Sequence, residues 1–337
     1  MTTPLLPPVE VHVEGPEDLI ASVPHVLGFH PRDSLVVMAM QQSSLTFTLR
    51  VDIPLARHRR GLAEQLLMPI RAQQPTSVLL MVFGGGKADP AGKPPHAKLI
   101  DLMHSALCSV GVPLAHAIWV RSCQAGEPWI CYADPECSGT MPDPNTSPLA
   151  AASAAAGNVT FADRSDVVAL VEPVGDDVLT RRSELLDKAV DEHQKETAAG
   201  IRLVRDTIGR DTPLSDDEVV ALAMALSDHR VRDACMTYAI GDKSQAAERL
   251  WLELTRGCPA PERAEPATLL AVNAYLRGDG GLASVAIEAA EAACPGHRLA
   301  GLLRSAFDCG LAPARIRDLV LGAADEAAWL LRSGDEE

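Results

Sequence analysis

A continuous apolar run, Leu35 to Met40, has the length of one β-strand and constrains the fold more than any other segment. A strand that is apolar at every position is typical of a central strand that is covered on both faces of its sheet. The next segment, Leu45 to Ile53, alternates apolar and polar residues, which predicts a hairpin partner joined through Gln41 to Ser44. The two segments therefore predict a layered domain built around a sheet.

The rest of the first 140 residues alternates between strand and helix patterns. The predicted elements are a strand over Val9–Val13, helices over Pro16–Phe29, Arg57–Gln73 and Pro95–Val110, a strand over Val78–Phe83, and a hairpin of His116–Arg121 with Trp129–Tyr132. Two strand–helix alternations with hairpins at both ends predict a mixed-sheet α/β domain over 9–140, with helices on at least one face.

The second half of the chain has a different pattern. Residues 141–178 form a predicted linker rich in Pro, Ala and Ser, with one short element of ambiguous type. Residues 179–332 predict an all-α domain that starts with a charged helix or helix pair over Leu179–Ile208 and continues with at least five helical segments after Pro213. The fold class is thus α+β or α/β, followed by an all-α part.

Three consecutive helical segments near the C-terminus have a repeat-like order. They cover Pro266–Arg277, Leu282–Ala293 and His297–Phe307, and the turns Gly278-Asp279-Gly280 and Cys294-Pro295-Gly296 separate them. Alanines recur where helices must approach closely. This pattern predicts a tetratricopeptide-like hairpin, although the aromatic positions of that repeat are not filled.

Net charge argues against nucleic-acid binding, because Lys and Arg must neutralise phosphates and this chain carries a formal charge of −15. The one basic cluster, Arg57-His58-Arg59-Arg60, is short and predicts a solvated helix face. The N-terminus lacks the pattern of a secretory signal, and no apolar run reaches the roughly 20 residues of a membrane span. We therefore expect a cytoplasmic protein without a nucleic-acid or membrane partner.

The loop before Leu35 carries the candidate ligand-binding residues His30, Arg32, Asp33 and Ser34. A serine nucleophile needs a base, and the base needs a group that orients it. One short loop rarely aims three side chains at one point, and no Gly-x-Ser-x-Gly motif is present, so we predict no catalytic residue. The competing interpretation is a purely structural Asx or Ser turn.

Two further patterns are weaker. Gly84-Gly85-Gly86-Lys87 follows a predicted strand, but it lacks the phosphate-loop spacing, which favours a flexible connection over a phosphate site. Cys123, Cys131 and Cys137 lie near His116 without a Cys-x-x-Cys pair, which favours unpaired thiols over zinc. A facultative Cys131–Cys137 disulfide stays open. We predict no metal and no cofactor.

Three blocks carry a family resemblance: GFHPRDSLVVMAM, WICYADPEC, and TLLAVNAYLRGDGGLASVAIEAAEAACPGHRLAGLL. Together they resemble the bacterial family of domain of unknown function 4192, from about Pro16 to about Arg317. Relatives tend to carry a cysteine pair followed by prolines where this chain reads Cys137-Ser138-Gly139. The resemblance implies the architecture and brings no activity with it.

These observations favour a non-enzymatic interaction, regulatory or scaffold protein that binds a protein partner, or a second copy of itself, through the helical domain. The alternative is an enzyme, a hydrolase or a nucleotide-acting protein, with a site at the sheet edge formed by His30, Asp33, Ser34 and Gly84–Lys87. A purely structural oligomer is the third hypothesis. The enzyme hypothesis requires the His30–Ser34 loop and the Gly84–Lys87 loop to converge, whereas the binding hypothesis does not.

Overall fold

A computed structural model describes residues 15–90, 92–155, 157–192 and 197–322. The predicted strand Val9–Val13 lies outside these residues, as do positions 193–196 and the end of the predicted last helix. The chain divides into two compact units between Arg164 and Ser165. The predicted domain bounds stay a prediction.

The first unit contains a six-stranded mixed sheet, as the strand–helix alternation predicts. The strands are β1 (Ser34–Gln41), β2 (Ser44–Asp52), β3 (Ser77–Phe83), β4 (Leu114–Val120), β5 (Pro128–Cys131) and β6 (Ser138–Thr140). Their order in the sheet is β2-β1-β3-β4-β5-β6. Only β3 and β4 pair in parallel, and the other neighbours are antiparallel.

The apolar run identified in the sequence forms β1, which lies between β2 and β3. Leu35 to Ala39 are buried along the strand, whichever face each side chain occupies. The first residue of β1, Ser34, pairs with Asp52 on one side and with Phe83 on the other. The start of β1 therefore lies beside the end of β3, and this neighbourhood brings the two polar loops together.

Four helices accompany the sheet: α1 (Pro16–Leu27), α2 (Arg59–Gln73), α3 (Ala97–Ser109) and α4 (Pro148–Ala155). Helix α1 begins with Pro16, carries two acidic residues in its first turn, and ends at Gly28 in the left-handed conformation, φ 79°. Helices α2 and α3 bury their apolar stripes against one face of the sheet, in a cluster that includes Leu66, Ile70, Met103, Leu80 and Val82.

Helix α4 lies within the stretch predicted to be a linker, and the sequence patterns missed it. Its side chains are small, so the segment shows no apolar period that a pattern search could detect. The hydroxyl of Ser147 accepts a hydrogen bond from the Ala150 N–H at 3.1 Å and caps the helix. The short ambiguous element predicted after Asn158 corresponds to a helix over Arg164–Leu170.

The second unit consists of helices, and no strand occurs in the part of it that the structure describes. The helices are α5 (Arg164–Leu170), α6 (Asp176–Glu192), α7 (Thr197–Thr207), α8 (Asp216–Leu226), α9 (His229–Cys235), α10 (Ser244–Gly257), α11 (Ala264–Arg277), α12 (Gly280–Ala293) and α13 (Arg298–Asp308). Residues 313–322 are also helical. Across both units, every described helix falls short of the length and apolar content that a membrane crossing needs.

Helix α11 is the centre of the second unit. Its first eleven residues are buried except Glu265, which lies at an intermediate position, and it packs along α10 and α12. It ends at Gly278, φ 91°, and Asp279 then accepts a hydrogen bond from the Leu282 N–H at 2.9 Å to start α12. The structure confirms the predicted order of three helices separated by two turns, with bounds close to the predicted ones.

We expect Leu80→Ala to lower the free energy of unfolding by about 2–5 kcal/mol, because it leaves a cavity beside fully buried neighbours. The control is Leu55→Ala in the same unit, where the side chain is 62% exposed and Leu80 is fully buried. This control should change stability by about 0.5 kcal/mol or less. Urea unfolding of both variants measures the difference, and equal losses would contradict the assigned strand core.

Candidate functional site at the sheet edge

Two loops meet at one edge of the sheet, where β1 begins and β3 ends. The carboxylate of Asp33 accepts a hydrogen bond from the Gly85 N–H at 2.7 Å. The carbonyl of Asp33 also accepts from the Ile53 N–H at 2.9 Å, beyond the end of β2. Asp33 thus joins the exits of two strands to the entry of a third. The predicted loops converge through this residue.

The loop Gly84–Gly86 is held at each of its first four backbone polar groups. The Gly84 N–H donates to the Val120 carbonyl at 2.9 Å, and the indole of Trp119 donates to the Gly84 carbonyl at 2.9 Å. The Gly85 N–H donates to Asp33, and the Gly85 carbonyl accepts from Nε2 of His96 at 2.6 Å. The sequence predicted a flexible connection here. The structure shows a segment fixed by four hydrogen bonds.

His96 has a polar partner at each ring nitrogen. A carbonyl oxygen only accepts, so Nε2 donates to the Gly85 carbonyl. The other ring nitrogen, Nδ1, lies 3.3 Å from a guanidinium nitrogen of Arg59. His96 thus links Arg59 to the glycine loop. The Nε of Arg59 is buried without a partner among the residues that the structure describes.

Glycine is required at Gly85 by its conformation and by its neighbours. Its φ is 71°, in the left-handed region, and the adjacent Gly84 and Gly86 also have positive φ. A methyl group at this position would overlap the imidazole of His96 and lie 2.6 Å from Cδ1 of Ile53. Asp33 is itself left-handed, φ 42°, a conformation that Asp tolerates better than most residues.

Ser34 is not available as a nucleophile. Its side chain is fully buried. The hydroxyl donates to the Arg32 carbonyl at 2.6 Å and accepts from Nε of Arg50 at 2.8 Å. Arg50 in turn contacts Asp52 at 2.7 Å. The serine therefore fixes the loop against β2, as a Ser turn does. Its hydroxyl proton is already donated to the Arg32 carbonyl and is not available to a base.

His30 and Arg32 contact residues near the end of the first unit. The His30 N–H donates to the Phe161 carbonyl at 3.0 Å, and Arg32 forms an ion pair with Asp163 at 3.1 Å. Burial, then the nearby charges of His25 and Arg32, lower the pKa of the His30 imidazole. Of the four residues predicted to bind a ligand, only Asp33 reaches the glycine loop.

The electrostatics of the edge disfavour a phosphate ligand. In a phosphate cradle, backbone N–H groups of a glycine-rich loop point at the anion. Here the Gly84 and Gly85 N–H groups already donate to Val120 and to the carboxylate of Asp33. The carboxylate of Asp33 takes the place that a bound phosphate would have beside the Gly85 N–H, and its negative charge would repel a phosphate. The exposed carboxylate keeps acceptor capacity, so a ligand that donates hydrogen bonds suits this edge better.

Cys123, the cysteine beside the Pro31 carbonyl, is a poor nucleophile. Cys123 is buried, with its thiol 3.8 Å from the Pro31 carbonyl, and burial raises its pKa to about 12 against the effect of Arg32. A thiol with this pKa is almost entirely protonated at neutral pH. Within the described ranges, no group of three or more His, Cys, Asp or Glu side chains is placed to hold a metal ion.

Sequence reasoning missed three residues of this site: Arg59, His96 and Trp119. Arg59 belongs to the basic cluster that predicted a solvated helix face. That interpretation fits the exposed Arg57 and Arg60, but Arg59 is partly buried. His96 follows two prolines just before α3 and makes no side-chain cap hydrogen bond to that helix, so no cap signal singles it out in the sequence.

Gly85→Ala and Gly92→Ala form a matched pair. Both glycines have positive φ, 71° and 79°, but a methyl group at Gly92 meets nothing within 4 Å. The backbone strain is shared, so the difference between the variants measures overlap with His96 and Ile53. We expect the free energy of unfolding of Gly85→Ala to be about 1–3 kcal/mol lower than that of Gly92→Ala. Equal unfolding midpoints in urea would show that the loop is not held closely.

Stability should depend on His30 at acid pH. Its pKa is lowered in the folded state, so both states are neutral well above 6.5 and the group then contributes no difference. As the pH falls below 6.5, the unfolded chain takes up the proton first, and the folded state loses stability until the pH passes the lowered pKa. His30→Gln should remove this part of the loss.

The measurement is urea unfolding at several pH values between about 7.5 and 5, a range that brackets the ordinary His pKa. His104→Gln, at an exposed position of α3, is the control and should follow the wild type. If His30→Gln loses as much stability as the wild type over this range, the imidazole is not desolvated.

Comparisons with known proteins give one match. The family described as Domain of unknown function (DUF4192) matches residues 16–314, which include the sheet edge and the helices through α13. Neither the curated proteins nor the solved structures contain a match to this chain. The matched range covers most of the 337 residues. The chain therefore belongs to the DUF4192 family.

Proposed function

We propose that this chain is a non-enzymatic binding protein, in which the helical unit contacts a protein partner and the α/β unit serves as scaffold or small-ligand sensor. The observation that carries the proposal is the state of Ser34, the serine of the candidate ligand-binding loop. Its hydroxyl is fully buried and takes part in two hydrogen bonds within the loop. An enzyme that used this serine would need it accessible and next to a base.

The helical unit supports the partner half of the proposal. Antiparallel helices joined by short turns, with α11 packed between α10 and α12, are typical of tetratricopeptide-like repeats, which bind partners along an extended face. The ring of Tyr275 stacks on Phe307 at 3.9 Å and connects α11 to α13. Helix α13 then exposes Leu302. We propose this helix as part of the contact surface.

A cytoplasmic location is part of the same proposal. All eight cysteines are free thiols, and four of them are buried. Free thiols persist in reducing compartments, whereas chains in oxidising compartments tend to pair them. The proposed partner is a protein and not a nucleic acid, because a chain with a net charge of −15 is repelled by the phosphate backbone.

Cross-linking in lysate of the native host, with the full-length chain, tests the partner surface. Leu302→Asp should remove most of the cross-linked species. Leu55→Asp, a similarly exposed leucine in the α/β unit, should leave them in place. Light scattering of the purified chain shows whether the cross-linked partner is a second copy of this chain. If both variants keep their cross-links, the helical unit is not the contact surface.

An enzyme, a hydrolase or nucleotide-acting protein, is the second candidate. It is favoured by the 2.7 Å hydrogen bond from the Gly85 N–H to Asp33, because this bond brings the two candidate loops to one edge. Asp33 would then be the acid or base, with His96 on the opposite side of Gly85. Ser34 would keep its structural role.

Turnover assays separate the two candidates. A panel of nucleoside triphosphates and activated esters is offered to the wild type and to Asp33→Asn, which keeps the size and the backbone preference of the residue. The binding proposal predicts the same background rate for both proteins. A rate above background that Asp33→Asn abolishes, in a variant that unfolds like the wild type, would establish the enzyme instead.

A further inference from the structure

A pair of cysteines faces each other across the β5–β6 hairpin. Cys131 ends β5, and its N–H donates to the carbonyl of Cys137 at 2.9 Å. The strand register places Ile130 opposite Ser138, so Cys131 lies opposite Cys137. Directly opposed residues of antiparallel strands project to the same face of the sheet. The two thiols share a hydrogen bond.

The strand register is compatible with a disulfide between Cys131 and Cys137. Directly opposed residues of antiparallel strands have Cα atoms about 4.5–5.5 Å apart. Disulfides span Cα separations of about 4.4–6.8 Å, with the most frequent value near the middle of this range. None of the other six cysteines is opposed to a second one in the strand pairing of the described residues.

We propose that Cys131 and Cys137 are a redox modification site that closes to a disulfide by exchange with a low-molecular-weight disulfide such as oxidised glutathione. The inference stands apart from the proposed binding function. In a reducing compartment, disulfides of this kind are transient and report the redox state. Cys131 is buried and Cys137 is partly exposed, so a small disulfide reaches Cys137 first.

The exchange proceeds in two steps that balance. The Cys137 thiolate attacks one sulfur of oxidised glutathione, which forms a mixed disulfide and releases one glutathione thiolate. Cys131 then loses its proton to solvent, attacks the Cys137 sulfur and releases the second glutathione. The two protein thiols give up two electrons and two protons, and oxidised glutathione takes them up as two reduced molecules.

The second step should be the slow one. In the reduced pair, burial, then the hydrogen bond and charge of Cys137 and the charge of Asp134, raise the pKa of Cys131 to about 12, and burial and Asp134 still raise this pKa once Cys137 carries glutathione. Little thiolate is therefore available for the attack that completes the disulfide. A glutathione adduct on Cys137 is expected to accumulate before the disulfide forms.

Closure of the pair would act on the sheet edge through the next residue. The N–H of Tyr132 donates to the Ala117 carbonyl at 2.9 Å, and its hydroxyl donates to the Pro95 carbonyl at 2.6 Å. Pro95 precedes His96, whose imidazole holds the Gly85 carbonyl. Two hydrogen bonds and two peptide links thus connect Cys131 to the glycine loop, within one unit.

The test treats the full-length protein with oxidised glutathione and follows the intact mass and the mapped peptides over time. The wild type should pass through an adduct at Cys137 and end with the Cys131 and Cys137 peptides cross-linked by a bond that a reductant breaks. Cys131→Ser should stop at the Cys137 adduct, and Cys137→Ser should form no Cys131 disulfide. Cys108→Ser, which replaces an exposed cysteine outside the hairpin, should lack any adduct at position 108 and form the same cross-link as the wild type.

Two results would overturn the proposal: a wild type that stops at the adduct, as Cys131→Ser does, or a cross-link from Cys137 to another cysteine. The Cys131→Ser variant removes a buried side chain and can fail to fold, whereas Cys137 is partly exposed and its serine variant should fold. If Cys131→Ser does not fold, the wild type alone still decides the question. A Cys131 thiol that stays fully open to alkylation after the wild type is oxidised and denatured would contradict the proposed disulfide.

Discussion

The hydrogen bond from the Gly85 N–H to the Asp33 carboxylate is the interaction on which the sheet edge depends. It joins a loop that enters β1 to a loop that leaves β3, across a sheet position where Ser34 and Phe83 are paired. A carboxylate acceptor makes this bond stronger than one between neutral groups. The left-handed conformations of Asp33 and Gly85 are both needed to bring the two groups together.

The same bond determines which chemistry the edge can support. It places a negative charge where a glycine-rich loop would otherwise present N–H groups to a phosphate. His96 and Trp119 then donate to the Gly85 and Gly84 carbonyls, and Ser34 is fixed separately by Arg50. The polar groups of the edge are therefore occupied mostly by one another, which is typical of a structural joint with one exposed carboxylate.

Sequence alone predicts the architecture well and the site poorly. The apolar run of β1 and the order of α11, α12 and α13 are local patterns, and the structure confirms their extents. The roles of Arg59 and His96 depend on contacts over 37 residues of sequence, which no local pattern encodes. Helix α4 is an intermediate case. Ser147 followed by Pro148 is a start signal for a helix, but an alanine-rich segment gives no apolar period to accompany it.

Amide hydrogen exchange at Gly85 tests the central claim most directly. A hydrogen-bonded amide in a fixed loop exchanges only after local opening, so Gly85 should exchange slowly in the wild type. Asp33→Ala should accelerate exchange at Gly85 and leave the amides of β4 unchanged. Rapid exchange at Gly85 in the wild type, at the rate of an open glycine loop, would contradict the account and return the edge to the status of a flexible connection.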